Sequence, residues 1–380
     1  MKVVVLGGLP LNGERSGYLN HIDKLTQAIS AMDNIEMHVI TLGKKNGDFK
    51  KNNVNVHVVS DSCLYVPFLF PITIWSMISK LISIRPDVVH GGGVLPYTTV
   101  AALVRNKYPS LLSMFSISAK DIAFDRRNIL KILGKFLFVI PNERYVISKT
   151  RHIIVQSKFT EGLVKKWTNS NIYIVPEGIE SQRIQQVGSH EPSIDKCDIF
   201  IAVSLRWWKG LDVLIKSIPT VLEQVPDLKV YIAGSGPQEN ELKELVDQLH
   251  LNKYIKFLGF IYNEEIINNY YRNSKIVVAP SRWDVEPFAP LDAAVFGRPS
   301  IVSEMCNSSL VEDGRTGFVI RSEDIEDLAS KITVLLCDDR LRATMGEAAR
   351  DKVKEYDWKN IASRTVEIYK KVIEESRARV

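Results

Sequence analysis

Residues 228–303 read LKVYIAGSGPQENELKELVDQLHLNKYIKFLGFIYNEEIINNYYRNSKIVVAPSRWDVEPFAPLDAAVFGRPSIVS. Within this stretch VYIA, YIKFLGF, KIVVA and SIVS are short runs, apolar rather than alternating, each closed by Gly, Pro or a polar residue. Such runs are what strands covered on both faces look like. The segments between them are long enough for helices. Strand and helix therefore alternate, which implies a parallel, doubly wound sheet. Gly234-Ser235-Gly236-Pro237 closes one strand and opens a helix. Glycine there permits close backbone approach, and exposed helix amides favour an anion.

Immediately upstream, DIFIAVS (198–204) and LRWWKGLDVLI (205–215) supply another strand and helix. Arg206 and Lys209 stand in the loop between them; two cations there suit a diphosphate and a departing negative charge, and read equally as surface cations beside buried tryptophans. Downstream, Asp284, Glu286 and Asp292 surround a helix start. Acids there are often only caps, but in a cleft they accept hydrogen bonds from sugar and ribose hydroxyls. The same alternation fills the first half: VVVLG (3–7), MHVIT (37–41), VNVHVV (54–59), DVVH (87–90), HIIVQS (152–157) and IYIVP (172–176), with helices expected over 17–31 and 94–106. A polar stretch at 177–197 interrupts it. The chain thus reads as two Rossmann-like domains, 1–180 and 196–357, with the closing helix (358–380) expected to cross back onto the first. Ligands in such sheets bind outside the carboxyl ends of the strands, so two domains facing each other place a site in the cleft.

Composition agrees. A chain of 380 residues, 45% hydrophobic and 24% charged, is long enough for two full cores and too apolar for disorder. No run of about 18 uninterrupted apolar residues appears, which excludes a multi-span membrane protein. Cys63, Cys197, Cys306 and Cys337 lie far apart without a Cys-x-x-Cys, which fits a reducing compartment and argues against a zinc site or a disulfide framework. The amino-terminal MKVVVLGG is expected to be a buried strand rather than a signal peptide. The net charge of +5 is uneven. Residues 1–180 carry 22 Lys and Arg against 13 Asp and Glu, hence +9, and the remainder carries 27 against 31, hence −4. Ten basic residues fall between Arg126 and Lys166, which read either as a solvated basic surface or as a site for an anionic partner on one half only. No nucleic-acid motif accompanies them.

Taken in order, Lys209-Gly210, GSGP, FLGF (257–260), Pro280-Ser281, EPFA with Asp292-Ala293, and EDGRTGFVI from Glu312 resemble the carboxyl-terminal domain of retaining glycosyltransferases of family 4. GYLNHIDKLTQAI from Gly17, RPDVVH and IYIVPEGIE resemble that family's first domain. The resemblance implies a GT-B fold, two Rossmann-like domains facing across a cleft, and sugar transfer with retention from a nucleotide-diphosphate sugar to a hydroxyl acceptor such as a lipid-linked or polysaccharide precursor. It implies no metal, and no cofactor beyond the nucleotide sugar itself.

Residue by residue, the resemblance gives Lys209 and Arg206 the diphosphate and Glu286 the donor sugar. Asp292 would accept from the ribose, and Ile261 falls where backbone atoms meet the base. Gly17, Gly234 and Gly236 would let loops approach the donor, with Phe288 and Ala289 beside it. His21, His90 and Phe115 are candidate acceptor-side residues. The sequence also departs from the family. Arg206 lies closer to the lysine than is usual. Glu286 and Asp292 are six positions apart where eight is usual, and Asp284 would restore eight at the cost of displacing Pro-Phe. Ala289 replaces a glycine, Pro290 lacks an amide donor, Phe115 stands where a histidine is expected, and 304–309 lack the usual Gly-Gly. Two alternatives stay open: a nucleotide-sugar 2-epimerase, against which Glu-Pro-Phe and Pro-Ser argue, and a non-catalytic nucleotide-sugar binder, which these departures favour. The uncharged stretch 62–79, and Phe136 to Ile140 flanked by Lys131, Lys135 and Arg144, read equally as packed helices and as contacts with an anionic membrane surface. A cytoplasmic protein, peripheral on the inner face of the membrane, is the matching expectation.

Overall fold

The computed structural model describes residues 1–11, 17–62, 70–93, 95–114, 139–180, 195–306 and 308–378. The chain forms two compact units, Met1–Gly178 with Trp358–Val380, and Ile179–Asp357.

Unit 1 holds one sheet in the order β3-β4-β2-β1-β5-β6-β7-β8. Its strands are β1 (Lys2–Leu6), β2 (Glu36–Gly43), β3 (Gly47–Lys51), β4 (Val54–Ser60), β5 (Val88–Gly92), β6 (Ser110–Met114), β7 (His152–Val155) and β8 (Asn171–Ile174). All pairs are parallel except β3 with β4. The amino-terminal run is the buried strand expected, and it lies in the middle of the sheet. Two strands carry no clear signal in the sequence. β3, GDFKK, is an exposed edge strand with no apolar face to read, and β6, SLLSM, is short and serine-flanked.

Alternation along β1 divides the core. Val3 and Val5 face α1 (Gly17–Ser30) and α12 (Trp358–Arg377). Val4 and Leu6 face α2 (Phe70–Ile84) and α3 (Tyr97–Val104), a layer that α4 (Ile140–Lys149) joins through Val146. A short α5 (Lys158–Val164) follows β7, its Ser157 cap accepting from the Thr160 amide.

Unit 2 holds six parallel strands in the order β11-β10-β9-β12-β13-β14. These are β9 (Cys197–Ala202), β10 (Val230–Ala233), β11 (Ile255–Gly259), β12 (Ser274–Ala279), β13 (Ser300–Ser303) and β14 (Gly317–Ile320). The helices are α6 (Leu211–Leu222), α7 (Glu239–Gln248), α8 (Glu264–Asn273), α9 (Phe288–Val295), α10 (Ile325–Cys337) and α11 (Asp339–Val353), around one continuous core. Strand order reverses between β9 and β12, and such a switch point is where open α/β sheets take ligands. Both units have the doubly wound architecture read from the sequence.

Candidate functional site

Lys209 and Asp284 meet at that switch point. The loop after β9 ends in a 3₁₀ turn, Trp207–Lys209, and Gly210 then starts α6. Gly210 has φ 67°, and a Cβ there would lie 2.1 Å from the carbonyl oxygen of Pro280, in the loop after β12. Only glycine fits both demands. The two loops are thereby pressed together, and the Lys209 ammonium donates to the Asp284 carboxylate in a largely buried ion pair. The Asp284 amide donates to the Met305 carbonyl at 3.0 Å, which ties the loop after β12 to the turn after β13.

Arg282 fixes the lysine turn. Its guanidinium donates to both oxygens of Asp212 on α6 at 2.7 and 2.8 Å, to the Trp207 carbonyl at 2.8 Å and to Glu323 at 2.7 Å, and it lies 4.7 Å from the Trp207 ring. A bidentate, ring-stacked arginine is a rigid strut. The string Ser-Arg-Trp gives no hint of this, because its partners come from two other segments, 207–212 and the loop that holds Glu323.

Glu286 is turned elsewhere. It is 2% exposed, with φ 49°, and its carboxylate accepts from the Ser309 amide (3.2 and 3.3 Å) and hydroxyl (2.7 Å). Ser309 in turn bonds the Tyr356 hydroxyl at 2.9 Å. A non-glycine residue at positive φ costs of order 1–3 kcal/mol and persists where its surroundings over-determine it. Of the acids weighed from sequence, the structure thus brings Asp284 to Lys209 and sets Glu286 against Ser309. Arg206 is exposed, its guanidinium 5.0 Å from the Trp208 ring. Beneath the pair, burial pushes the Cys306 thiol up to about 12, with Asp284 adding to the effect.

The Gly-Ser-Gly turn packs against the same loop. Gly234 has φ 135°, and a Cβ there would meet the Val203 carbonyl at 1.8 Å; at Gly236 it would meet the Leu205 carbonyl at 2.4 Å. Both glycines are required by protein packing whatever else they approach. Ile261 follows β11, half-buried against the unit 2 core, between the exposed rings of Phe260 and Tyr262. On α9, Phe288 is exposed, Ala289 buried and Asp292 half-buried, one turn after Phe288.

In unit 1, Gly17 is the first residue of α1, beside Tyr18, whose hydroxyl accepts from the Gly8 amide (3.1 Å) and donates to the Gly92 carbonyl (3.0 Å). Burial, first, holds that hydroxyl protonated far above its ordinary range. His21 is buried and paired with Glu177 at 2.7 Å, edge-on to Trp358. His90 is fully buried between the Tyr369 hydroxyl (2.7 Å) and the Ser113 hydroxyl (2.6 Å). Burial drives its pKa down to about 3, so its ring is a neutral bridge between sheet and α12. Phe115, Lys131 and Lys135 lie outside the described residues. Among the described residues no cluster of three or more His, Cys, Asp or Glu is placed to hold a metal ion, and no helix is long and apolar enough to cross a membrane.

Two doubly wound sheets, parallel apart from the β3 edge of the first, with a lysine at the switch point of the second, have a GT-B architecture. Solved structures share it. Sucrose-phosphate synthase from Thermosynechococcus elongatus matches with a TM-score of 0.78 at 17% identity, over 99% of this chain and 100% of that one. HepE of Anabaena in complex with UDP-glucose matches at 0.70 and 17%, over 98% and 100%. Residues 185–352, under half of the chain, match the family of glycosyl transferases group 1. Among curated relatives, an uncharacterized glycosyltransferase of Methanocaldococcus jannaschii is 29% identical over 182 residues, 47% of this chain and 46% of that protein, so the match spans under half of the relative. The phosphatidylinositol N-acetylglucosaminyltransferase gpi3 subunit of Schizosaccharomyces pombe is 24% identical over 376 residues, 96% of this chain and 79% of that protein.

Proposed function

We propose that this chain transfers a sugar, with retention, from a nucleotide-diphosphate sugar to a hydroxyl acceptor, a lipid-linked or polysaccharide precursor. The observation that carries the reading is Lys209 at the switch point of unit 2, anchored by Gly210 and the Arg282 strut. A diphosphate arriving there would replace Asp284 as the partner of the ammonium. A fixed cation aimed at the departing diphosphate acts where charge develops, and a preorganised site spends little on reorganisation. Ile261 would meet the base and Asp292 the ribose; Glu286 would meet the donor sugar on release from Ser309, and unit 1 would take the acceptor. Lys209 supplies the charge neutralisation without a metal. HepE is in complex with UDP-glucose and the gpi3 subunit is named for transfer to phosphatidylinositol; both kinds of substrate fit this reading.

The test is turnover of nucleotide sugars with candidate acceptors, followed by the anomeric configuration of the product by NMR. Retained configuration with release of a nucleoside diphosphate is expected. An inverted product contradicts the mechanism. An epimerised nucleotide sugar formed without acceptor would replace the reading with the epimerase. Tight binding without turnover would replace it with a non-catalytic binder, a role that the enclosure of Glu286 against Ser309 favours.

A further inference from the structure

The two helix layers of unit 1 have different surfaces. The α1 and α12 layer carries no exposed large hydrophobic side chain among the described residues. The α2, α3 and α4 layer carries Ile72, Trp75 and Ile82 on α2, Leu103 on α3 and Tyr145 on α4, all exposed. Trp75 is 69% exposed and Ile72 51%. At about 100° per residue, the three α2 side chains fall within an arc of about 80°. Its other exposed positions include Ser76, Ser79 and Ser83, while Ile74, Met77 and Leu81 pack into the core. A helix of this kind on a wet surface normally presents charge outward.

The one charged residue of α2, Lys80, is tied to Asp48 of β3, and further charge lies at the ends of α3 and α4 and on α4. α2 and α3 contain no acidic residue. Lys107 follows α3, Arg144 and Lys149 lie on α4 and Arg151 follows it, all exposed. Glu143 is the acid on α4. Apolar side chains led by a tryptophan, bordered by cations, match the boundary between acyl chains and anionic headgroups. Beyond its serine hydroxyls α2 offers a protein partner Lys80, whose ammonium Asp48 already holds.

We propose that the outer face of α2, α3 and α4 docks on an anionic phospholipid bilayer, with Trp75 and Ile72 entering the headgroup boundary. This names the surface from which a lipid-borne acceptor would be presented. It rests on the transfer reading for its purpose only, and vesicle binding is measured with neither donor nor acceptor.

The experiment is flotation of the full chain with phosphatidylglycerol–phosphatidylcholine vesicles and with phosphatidylcholine alone, at low and high salt. The wild type should float with the anionic vesicles, and less so at high salt. Trp75→Ser with Ile72→Ser should weaken that binding by roughly tenfold or more, with an unchanged melting temperature because both side chains are exposed. Replacing Arg144 and Lys149 by Gln should weaken binding to anionic vesicles only. No flotation of the wild type overturns the proposal, as does equal flotation of the serine variant. A wild-type dimer that the serine variant converts to monomer also overturns it, by assigning the face to a second copy. The transfer reading survives any of these results.

Discussion

At the scale of single residues, chemistry here is set by what each side chain is pressed against. Lys209, Asp284 and Glu286 were all legible as site candidates, because a lysine-glycine before a helix and Glu-Pro-Phe at a helix start are local strings. Which acid meets the lysine was not legible. That depends on Gly210 against Pro280 and on Ser309, which lie in separate loops. His90 shows the same limit. Its strand-end position reads equally as a site or as structure, and the deciding partner, Tyr369, is 279 positions away. Its burial has a measurable consequence. With the folded pKa near 3 and the unfolded value near 6.5, the unfolded chain binds the extra proton below about pH 6.5 and the folded chain does not. The histidine's effect on stability is therefore constant above that pH. It grows more unfavourable by about 1.4 kcal/mol per unit as pH falls toward 3. Chemical denaturation of wild type and His90→Asn should show the wild type's advantage shrinking between about pH 7 and about pH 4. A pH-independent difference would mean that His90 is not held neutral.

At the scale of elements, apolar runs gave strands where both faces are covered, and they failed where only an edge exists. β3 has nothing apolar to bury on its exposed side and pairs through its backbone with β4, so hydrophobic pattern carries no trace of it. The 3₁₀ turn that holds Lys209 depends on a different element, the loop after β12, through Arg282. Removing that guanidinium leaves Asp212 without its bidentate partner and the Trp207 carbonyl with the Gly210 amide as its remaining donor. Arg282→Ala should raise the KM for donor and lower kcat/KM by roughly ten- to a hundredfold, with the fold retained by circular dichroism. Arg282→Lys should recover only part of this, because an ammonium cannot make the planar double bond to Asp212. Wild-type kinetics in both variants would show that the turn stands without the strut.

At the scale of the whole molecule, the two halves differ in charge and in task. The half with net −4 carries the lysine switch point and the family match, so its cations act by placement rather than number. The half with net +9 carries the apolar, cation-rimmed helix face. The doubly wound character of both was legible from alternating runs, whereas the difference between the two helix layers of unit 1 appears only once each helix is oriented on its sheet. The measurement that bears most directly on this account is calorimetric titration of UDP, GDP and ADP into wild type, Lys209→Ala and Trp75→Ser. Wild type and Trp75→Ser should bind one of these nucleotides with equal affinity, and Lys209→Ala should bind it at least about tenfold more weakly, the loss of one charge-assisted contact. Equal affinity in Lys209→Ala, or no binding by the wild type, would contradict the assignment of the diphosphate site.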